Sequence, residues 1–171
     1  MIERTPSPES PLDFGSALGV IAGAVTLLTI ADGRDDIGVT VSAFVPLSLQ
    51  PPLIGVSLIA NSYPAELLGR IDRFAVTVLS ASQRVLAGRF AAAGRPGARL
   101  LLDDVPNHRG AFSGALIADE GLAALECEAS TRMPAGDHLL VIAHVRAVVS
   151  MADRGEPLIR FRGRYPALAR A

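Results

Sequence analysis

The hydroxyl side chains best placed to bind a ligand lie in one stretch, residues 38–59. Thr40 and Ser42 alternate with aliphatic residues, and Ser57 interrupts a second aliphatic run beyond the Gln50-Pro51-Pro52 turn. Because alternate residues of a strand share a face, the hydroxyls lie on one side and the aliphatic groups on the other. This predicts a neutral, hydrogen-bonding cleft for a planar ligand. An edge strand with a polar solvent face gives the same pattern, so both interpretations stay open.

Asn61 and Ser62 come just before Pro64, a residue typical of the first turn of a helix. A helix start presents free N–H groups and a partial positive charge, which together attract phosphate. Position alone favours plain helix capping by the same side chains, and the two roles are compatible.

His138 follows Gly136-Asp137 at a turn into a strand, where a side chain can reach the rim of a cleft. Histidine transfers protons and contacts anionic or amide groups near neutral pH. A surface histidine at a turn is the alternative. Arg162 and Tyr165 are equally ambiguous, since an apolar strand ending in Arg-Gly-Arg-Tyr also fits a sheet edge protected by charge.

Other chemistries lack support in the sequence. No HExxH, GxSxG, Walker or GxGxxG motif occurs. Along a strand, His138 and His144 would lie roughly 20 Å apart, too far to share a metal ion. Cys127 is the only cysteine, with acidic neighbours that favour a structural thiol. No metal site is predicted.

Composition predicts a single domain without nucleic-acid or membrane partners. The 171 residues are half apolar, with a net charge of −1, no lysine and no basic cluster. The longest apolar run, Ala17–Ile30, is shorter than the roughly 20 residues that span a bilayer. We expect a cytoplasmic protein with a loose arm over residues 1–11 and one domain over residues 12–171.

Many short strands and two or three short helices predict a mainly β protein, a closed antiparallel barrel with a few helices. Helices are predicted after Ser10, at Pro64 and at the Ser80-x-x-Gln83 capping box. Residues 95–114 are predicted as a long irregular segment. The predicted strands are Ala24–Ile30, Gly38–Val45, Leu53–Ile59, Phe74–Leu79, Ala115–Ile117, Ala123–Met133, Leu139–Ser150 and Leu158–Tyr165.

Four ordered segments carry a family resemblance: GVTVSAFVPLSLQPPLIGVSL, RFAVTVLSASQRVLAGRF, MPAGDHLLVIAHV and PLIRFRGRYPAL. Together they resemble the flavin reductase-like family with the FMN-binding split barrel, over about Leu12 to Leu168. The resemblance implies a homodimeric, antiparallel split β-barrel that binds FMN or FAD non-covalently. It further implies hydride transfer from NADH or NADPH to the flavin, and in many members delivery of reduced flavin to a partner monooxygenase or halogenase.

The resemblance also implies roles for individual residues. Thr40, Val41 and Ser42 match positions at the isoalloxazine edge, and residues 57–62 match the run along the ribityl chain to the phosphate. His138 matches the family histidine near the nicotinamide and is the catalytic candidate, with Arg162 and Tyr165 beside the same substrate. The implied cofactor-binding residues are Thr40, Val41, Ser42, Ser57, Leu58, Ile59, Ala60, Asn61, Ser62, Arg89 and Phe90.

Two departures from the family pattern are visible. The phosphate segment Asn61-Ser62-Tyr63-Pro64 lacks the basic residue that is common there. Arg160 replaces a common aromatic residue, and it could face either an NADPH 2′-phosphate or solvent. A flavin-binding barrel with another substrate, or a non-enzymatic flavin-binding role, remains the alternative to a reductase.

Overall fold

The computed structural model describes residues 11–168, with side chains from Phe14 onward. Short helices and three antiparallel sheets make up this part of the chain. Its helices are α1 (Pro11–Gly19), α2 (Tyr63–Leu68), α3 (Arg84–Ala91, preceded by a 3-10 turn at Ala81–Gln83) and α4 (Ala98–Leu101). Its strands are β1 (Gly23–Ala24), β2 (Thr26–Ile30), β3 (Ile37–Val41), β4 (Phe44–Leu49), β5 (Pro52–Ile59), β6 (Arg73–Val78), β7 (Asn107–Arg109), β8 (Leu116–Ala118), β9 (Ala123–Ala135), β10 (His138–Met151) and β11 (Ile159–Arg160).

The main sheet has seven strands in the order β3-β2-β6-β9-β10-β5-β4. Its two outermost strands, β3 and β4, follow each other in sequence and are joined only by Ser42 and Ala43. Two residues cannot cross a flat seven-stranded sheet, so the sheet must curl until its edges approach each other. The backbone N–H of Ser57 donates to the carbonyl of Ala43 at 3.0 Å at this junction. The predicted mainly β, antiparallel split-barrel class is confirmed.

The apolar core has two parts, and the side chains of β2 alternate between them. All five residues of β2 are buried. Leu28 and Ile30 point into the barrel with Val56 and Phe74, whereas Leu27 belongs to a second cluster beneath α3. Successive side chains of a strand face opposite sides, so one short apolar strand closes both clusters.

Two threonines of β2 are buried without loss of hydrogen bonding. The Thr26 hydroxyl donates to the Val41 carbonyl at 2.8 Å, and the Thr29 hydroxyl donates to the Leu116 carbonyl at 2.5 Å. A buried hydroxyl without a partner would cost free energy, and these bonds remove that cost.

Three predicted segments need correction. The predicted strand Gly38–Val45 breaks at Ser42-Ala43, and the chain continues from Phe44 as the separate strand β4. The predicted strand Leu158–Tyr165 shrinks to β11, because the backbone turns at Arg162 and Gly163 with φ of 49° and 71°. The irregular segment 95–114 contains α4 and β7. Alternation reveals an extended backbone but does not show which strand it pairs with, so these breaks had no local signal.

Cys127 lies inside the barrel, as expected of a structural thiol. Burial, with a smaller contribution from the nearby Glu126 charge, raises the pKa of its thiol to about 12. It is therefore protonated at neutral pH. The predicted cap Ser10 and the predicted arm fall largely outside the described residues. Among those residues, no helix is both long and apolar enough to cross a membrane.

Candidate functional site

A cavity of about 460 Å³ opens where the two edges of the main sheet meet. This volume lies within the range of roughly 300–1,000 Å³ that is typical of small-molecule sites. Its walls come from β3, from the Ser42-Ala43 junction, from the end of β5, from α3 and from the start of β10. The sequence-predicted residues that line it are Thr40, Val41, Ser42, Ser57, Leu58, Ile59, Ser62, Phe90, His138 and Tyr165.

A group of hydroxyls faces this cavity from two neighbouring elements. Thr40 and Ser42 come from β3 and the junction that follows it, and Ser57 comes from β5. None of the three side chains hydrogen-bonds to another described residue. Their hydroxyls therefore remain available as donors and acceptors for a polar, planar ligand. This arrangement corresponds to the predicted hydrogen-bonding cleft more closely than to a solvent-facing edge.

The floor of the cavity depends on contact between a glycine and an aromatic ring. Phe90 of α3 is fully buried and reaches β3 at Gly38. A Cβ atom at Gly38 would lie 2.3 Å from Cε1 of Phe90. Only glycine therefore lets α3 approach β3 closely enough to close this side of the site.

Ser62 caps α2 and also lines the cavity. Its hydroxyl donates to the Ile59 carbonyl at 2.6 Å and accepts from the Ala65 N–H at 3.4 Å. The capping role weighed at the sequence level is therefore real. Ser62 also borders a smaller cavity next to the main one.

Arg95 lines both of these cavities alongside Ser62 and was missed by the sequence analysis. Its Nε donates to the Gly38 carbonyl at 2.9 Å, and it pairs with no carboxylate among the described residues. Burial lowers the pKa of its guanidinium, yet an arginine remains charged at neutral pH. The structure thus supplies, from a distant segment, a basic residue that the Asn61-Ser62-Tyr63-Pro64 segment lacks.

A buried carboxylate holds the segment that carries Arg95. Asp36, in the turn between β2 and β3, accepts from Arg99 Nε at 3.0 Å and from Arg109 at 2.6 Å. The Asp36 carbonyl also accepts the N–H of Ala98 at 2.9 Å. Burial by itself would raise the pKa of Asp36, but the two arginine hydrogen bonds outweigh it and hold that pKa below its ordinary value.

His138 begins β10, directly opposite Ile59 in the register of β10 against β5. Its Nδ1 lies 2.7 Å from Oδ1 of Asp137, which leaves Nε2 as the ring nitrogen open to a ligand. The hydrogen bond to His138 lowers the pKa of the exposed Asp137 carboxyl. A backbone bond from the Ala60 N–H to the Asp137 carbonyl, 2.9 Å long, fixes this turn against the end of β5.

Tyr165 and Arg160 complete the same end of the cavity. Tyr165 is half-buried against the cluster beneath α3, and the Arg84 guanidinium lies 5.8 Å from the centre of its ring. Arg160 is exposed and has no side-chain partner among the described residues.

Four predicted residues do not line the main cavity. Ala60 and Asn61 lie in the exposed turn after β5. Arg89 points instead to Asp104, with two hydrogen bonds of 2.5 and 2.8 Å. Arg162 lines an adjoining cavity, discussed below. Side chains from residue 14 to 168 form no group of three or more His, Cys, Asp or Glu that could hold a metal ion.

The donor set of the main cavity fits a flavin nucleotide. Thr40, Ser42 and Ser57 offer free hydroxyls for the polar edge of an isoalloxazine ring, and the apolar Phe90 forms a wall beside them. Arg95 offers a cation for a phosphate, and Ser62 lies beside the same small cavity with its hydroxyl proton donated to the Ile59 carbonyl. The cavity lining includes no carboxylate that would repel that phosphate.

Comparison with known proteins agrees with this assignment. The NADH-dependent FMN reductase AsuE2 of Streptomyces nodosus subsp. asukaensis is 33% identical over 156 residues, covering 91% of this chain and 84% of the relative. The reductase component of 4-hydroxyphenylacetate 3-monooxygenase from Thermus thermophilus is 31% identical, covering 91% of this chain and 95% of the relative.

A solved structure shares the whole fold. The NADH:FAD oxidoreductase SgcE6 of Streptomyces globisporus C-1027, in complex with NAD and FAD fragments, superposes with a TM-score of 0.88 at 26% identity, covering 97% of each chain. The family model described as the flavin reductase like domain matches residues 18–169. The chain therefore belongs to the flavin reductase like domain family, as its sequence motifs predicted.

Proposed function

We propose that this protein is an NADH-dependent flavin reductase that delivers reduced flavin to a partner oxygenase. One observation carries the proposal. A single cavity is lined by hydroxyls that have no hydrogen-bond partner in the described part of the chain, by an arginine that has no carboxylate partner there and by His138. The named activities of the relatives and the monooxygenase role of the Thermus protein support it.

The residues of the chain divide the task of binding. Thr40, Ser42 and Ser57 would hydrogen-bond the polar edge of the flavin ring, and Arg95, beside the Ser62 cap of α2, would bind the phosphate. A bound flavin would supply the hydride acceptor, so the protein needs no nucleophile or metal of its own. The chain instead contributes orientation, which accounts for much of the acceleration in such transfers.

His138 orients the electron donor. Asp137 holds Nδ1, so Nε2 can hydrogen-bond the carboxamide of a nicotinamide ring placed over the flavin. Tyr165 lines the same cavity as His138. These two residues, together with the position of the hydroxyls, favour a reductase over a flavin-storage role.

We further propose that two copies of the chain form the active dimer. Val45, Leu47 and Leu49 alternate along the edge strand β4 and are 44%, 48% and 91% exposed. An apolar row on an edge strand is an expected surface for protein association. It borders the junction that lines the cavity, so a second copy bound there would lie next to the flavin site.

Steady-state NADH oxidation with added flavin tests the proposed function. We expect turnover that saturates with increasing FMN or FAD, and reduced flavin that reacts with oxygen in solution. NADPH in place of NADH, and riboflavin in place of FMN, measure the two specificities in the same assay. Flavin binding without NADH turnover would contradict the reductase proposal and favour a binding protein of the same fold.

A further inference from the structure

A second cavity, of about 440 Å³, adjoins the flavin cavity. It lies between α1 and the segment after β11. Both cavities share Ser42, Ala43, His138 and Arg160. A ligand whose reactive ring lies beside His138 in the first cavity can therefore extend directly into the second.

This second cavity is cationic. Arg160 and Arg162 line it, and no Asp or Glu does so among the described residues. Neither arginine forms an ion pair or a side-chain hydrogen bond within residues 14–168. The side-chain contact of Arg162 is with the ring of Phe161, 5.4 Å from its centre. By contrast, Arg89, Arg99 and Arg146 all bind carboxylates.

The backbone under Arg162 is strained. Its φ is 49°, a left-handed conformation that costs a non-glycine residue about 1 kcal/mol or more. The Arg162 N–H donates to the Gly19 carbonyl at 2.8 Å, which ties this conformation to the end of α1. The fold thus places an arginine at a position where the backbone conformation favours glycine. The next residue, Gly163, is also left-handed, with φ of 71°. Strain of this kind concentrates at ligand-binding sites.

We propose that Arg160 and Arg162 bind the diphosphate of the dinucleotide electron donor. This inference rests on the proposed function, because it assumes that the nicotinamide ring lies beside His138. A diphosphate carries two negative charges, and guanidinium groups bind such oxygens through paired, charge-assisted hydrogen bonds. FAD carries the same diphosphate, so the test must separate the donor from the flavin.

The test compares two electron donors with FMN as the common acceptor. NADH carries the diphosphate, whereas 1-benzyl-1,4-dihydronicotinamide carries the reducing ring and no phosphate. For Arg160→Ala and Arg162→Ala, we expect the KM for NADH to rise about tenfold or more, the effect of losing one charge-assisted hydrogen bond. Turnover of the phosphate-free donor and the Kd of FMN should stay within about twofold of wild type, well below that effect.

Three further variants separate binding from folding. Arg164→Ala removes an exposed arginine that lies outside both cavities, and we expect wild-type KM for NADH. Arg162→Gly removes the side chain and relieves the left-handed strain, so it should unfold at an equal or higher temperature than wild type while still losing NADH affinity. Arg162→Lys, which keeps the charge, should recover part of the loss.

Three outcomes would overturn the inference. Equal losses with both donors would show that the arginines act on the ring or on the fold. A weakened Kd for FAD, with FMN and NADH unaffected, would assign them to the flavin diphosphate. An unchanged KM for NADH would remove them from binding altogether. A wild-type protein that oxidises neither donor would instead refute the proposed function, so the two failures are distinguishable.

Discussion

At the scale of single residues, the orientation of His138 depends on one neighbour. Asp137 occupies Nδ1 and the strand pairing with Ile59 fixes the backbone, so Nε2 is the atom through which this residue acts. Ser62 and Arg95 line the main cavity together with His138, but they also share a smaller cavity that His138 does not line, and we place the flavin phosphate beside that smaller cavity.

His138→Ala should therefore impair the use of NADH more than the binding of flavin. We expect the KM for NADH to rise about tenfold, as for the loss of a ligand hydrogen bond, with a much smaller change in the Kd of FMN. Steady-state kinetics and a fluorescence titration of FMN measure the two quantities. The matched control is His144→Ala, on the same strand but outside the cavity. A collapse of FMN affinity with an unchanged KM for NADH would reject this role.

Arg95→Ala should discriminate between flavins that differ only in phosphate. Removing the guanidinium beside Ser62 should weaken FMN binding by about tenfold or more and riboflavin binding little, because riboflavin carries no phosphate. Calorimetric titration with both flavins measures this ratio. Arg34→Ala, whose side chain is 93% exposed, is the control. Equal losses for both flavins would mean that Arg95 only supports the backbone at Gly38.

At the scale of elements, the site depends on how the β2–β3 turn and the segment from α3 to β7 are held together. Asp36 is the common point, since it binds Arg99 from α4 and Arg109 from β7. Its backbone is left-handed with φ of 50°, a conformation that asparagine also tolerates. Asp36→Asn therefore removes the charge with little change in backbone preference.

We expect Asp36→Asn to lower the free energy of unfolding by about 2 kcal/mol at neutral pH. Because the folded-state pKa of Asp36 lies below its ordinary value of 3.8, its stabilisation is complete above that value and is lost as the pH falls through the folded-state pKa. Urea unfolding at neutral and acid pH measures this. The difference in the free energy of unfolding between wild type and variant should become smaller in acid. The same difference at both pH values would contradict the ionic explanation.

The approach of α3 to β3 gives a second test at this scale. Gly38→Ala should destabilise the fold by about 1–3 kcal/mol, because its methyl group would meet the Phe90 ring. Gly88→Ala, on the open side of α3, meets no atom within 4 Å and should instead stabilise by roughly 0.5–1 kcal/mol through helix propensity. Thermal unfolding compares them. Similar shifts of the unfolding temperature in both variants would show that the Phe90 ring can move to make room for the methyl group.

At the scale of the whole molecule, the open question is how the split barrel covers its exposed edge. The apolar row of Val45, Leu47 and Leu49 flanks the flavin cavity, and we propose that a second copy covers it. Leu47→Asp should then raise the dimer dissociation constant about tenfold or more, since the carboxylate would be buried on association. Light scattering after gel filtration measures the mass. Val85→Asp, at an exposed position of α3, is the control, and an unchanged dimer in Leu47→Asp would exclude this face.

Local sequence patterns were enough to predict most of the secondary structure and the family. Alternation predicted the strands of the main sheet, the capping pair Ser80 and Gln83 marked the start of α3, and motifs spread along the chain indicated a flavin reductase-like barrel. These features are encoded by residues within a few positions of each other. The hydroxyls of Thr40 and Ser42 could be predicted to share a face for the same reason.

Which distant residues meet depends on long-range contacts that are visible in the folded chain and not in the local sequence. Arg95 lines the same cavities as Ser62 because Asp36 and Gly38 anchor its segment to the β2–β3 hairpin, whereas Arg89 binds Asp104. The break at Ser42-Ala43 follows from closing the sheet on itself, and the left-handed turn at Arg162 follows from its bond to the end of α1. Long-range hydrogen bonds and close packing set these positions, and neither leaves a periodic signal in the sequence around the residue concerned.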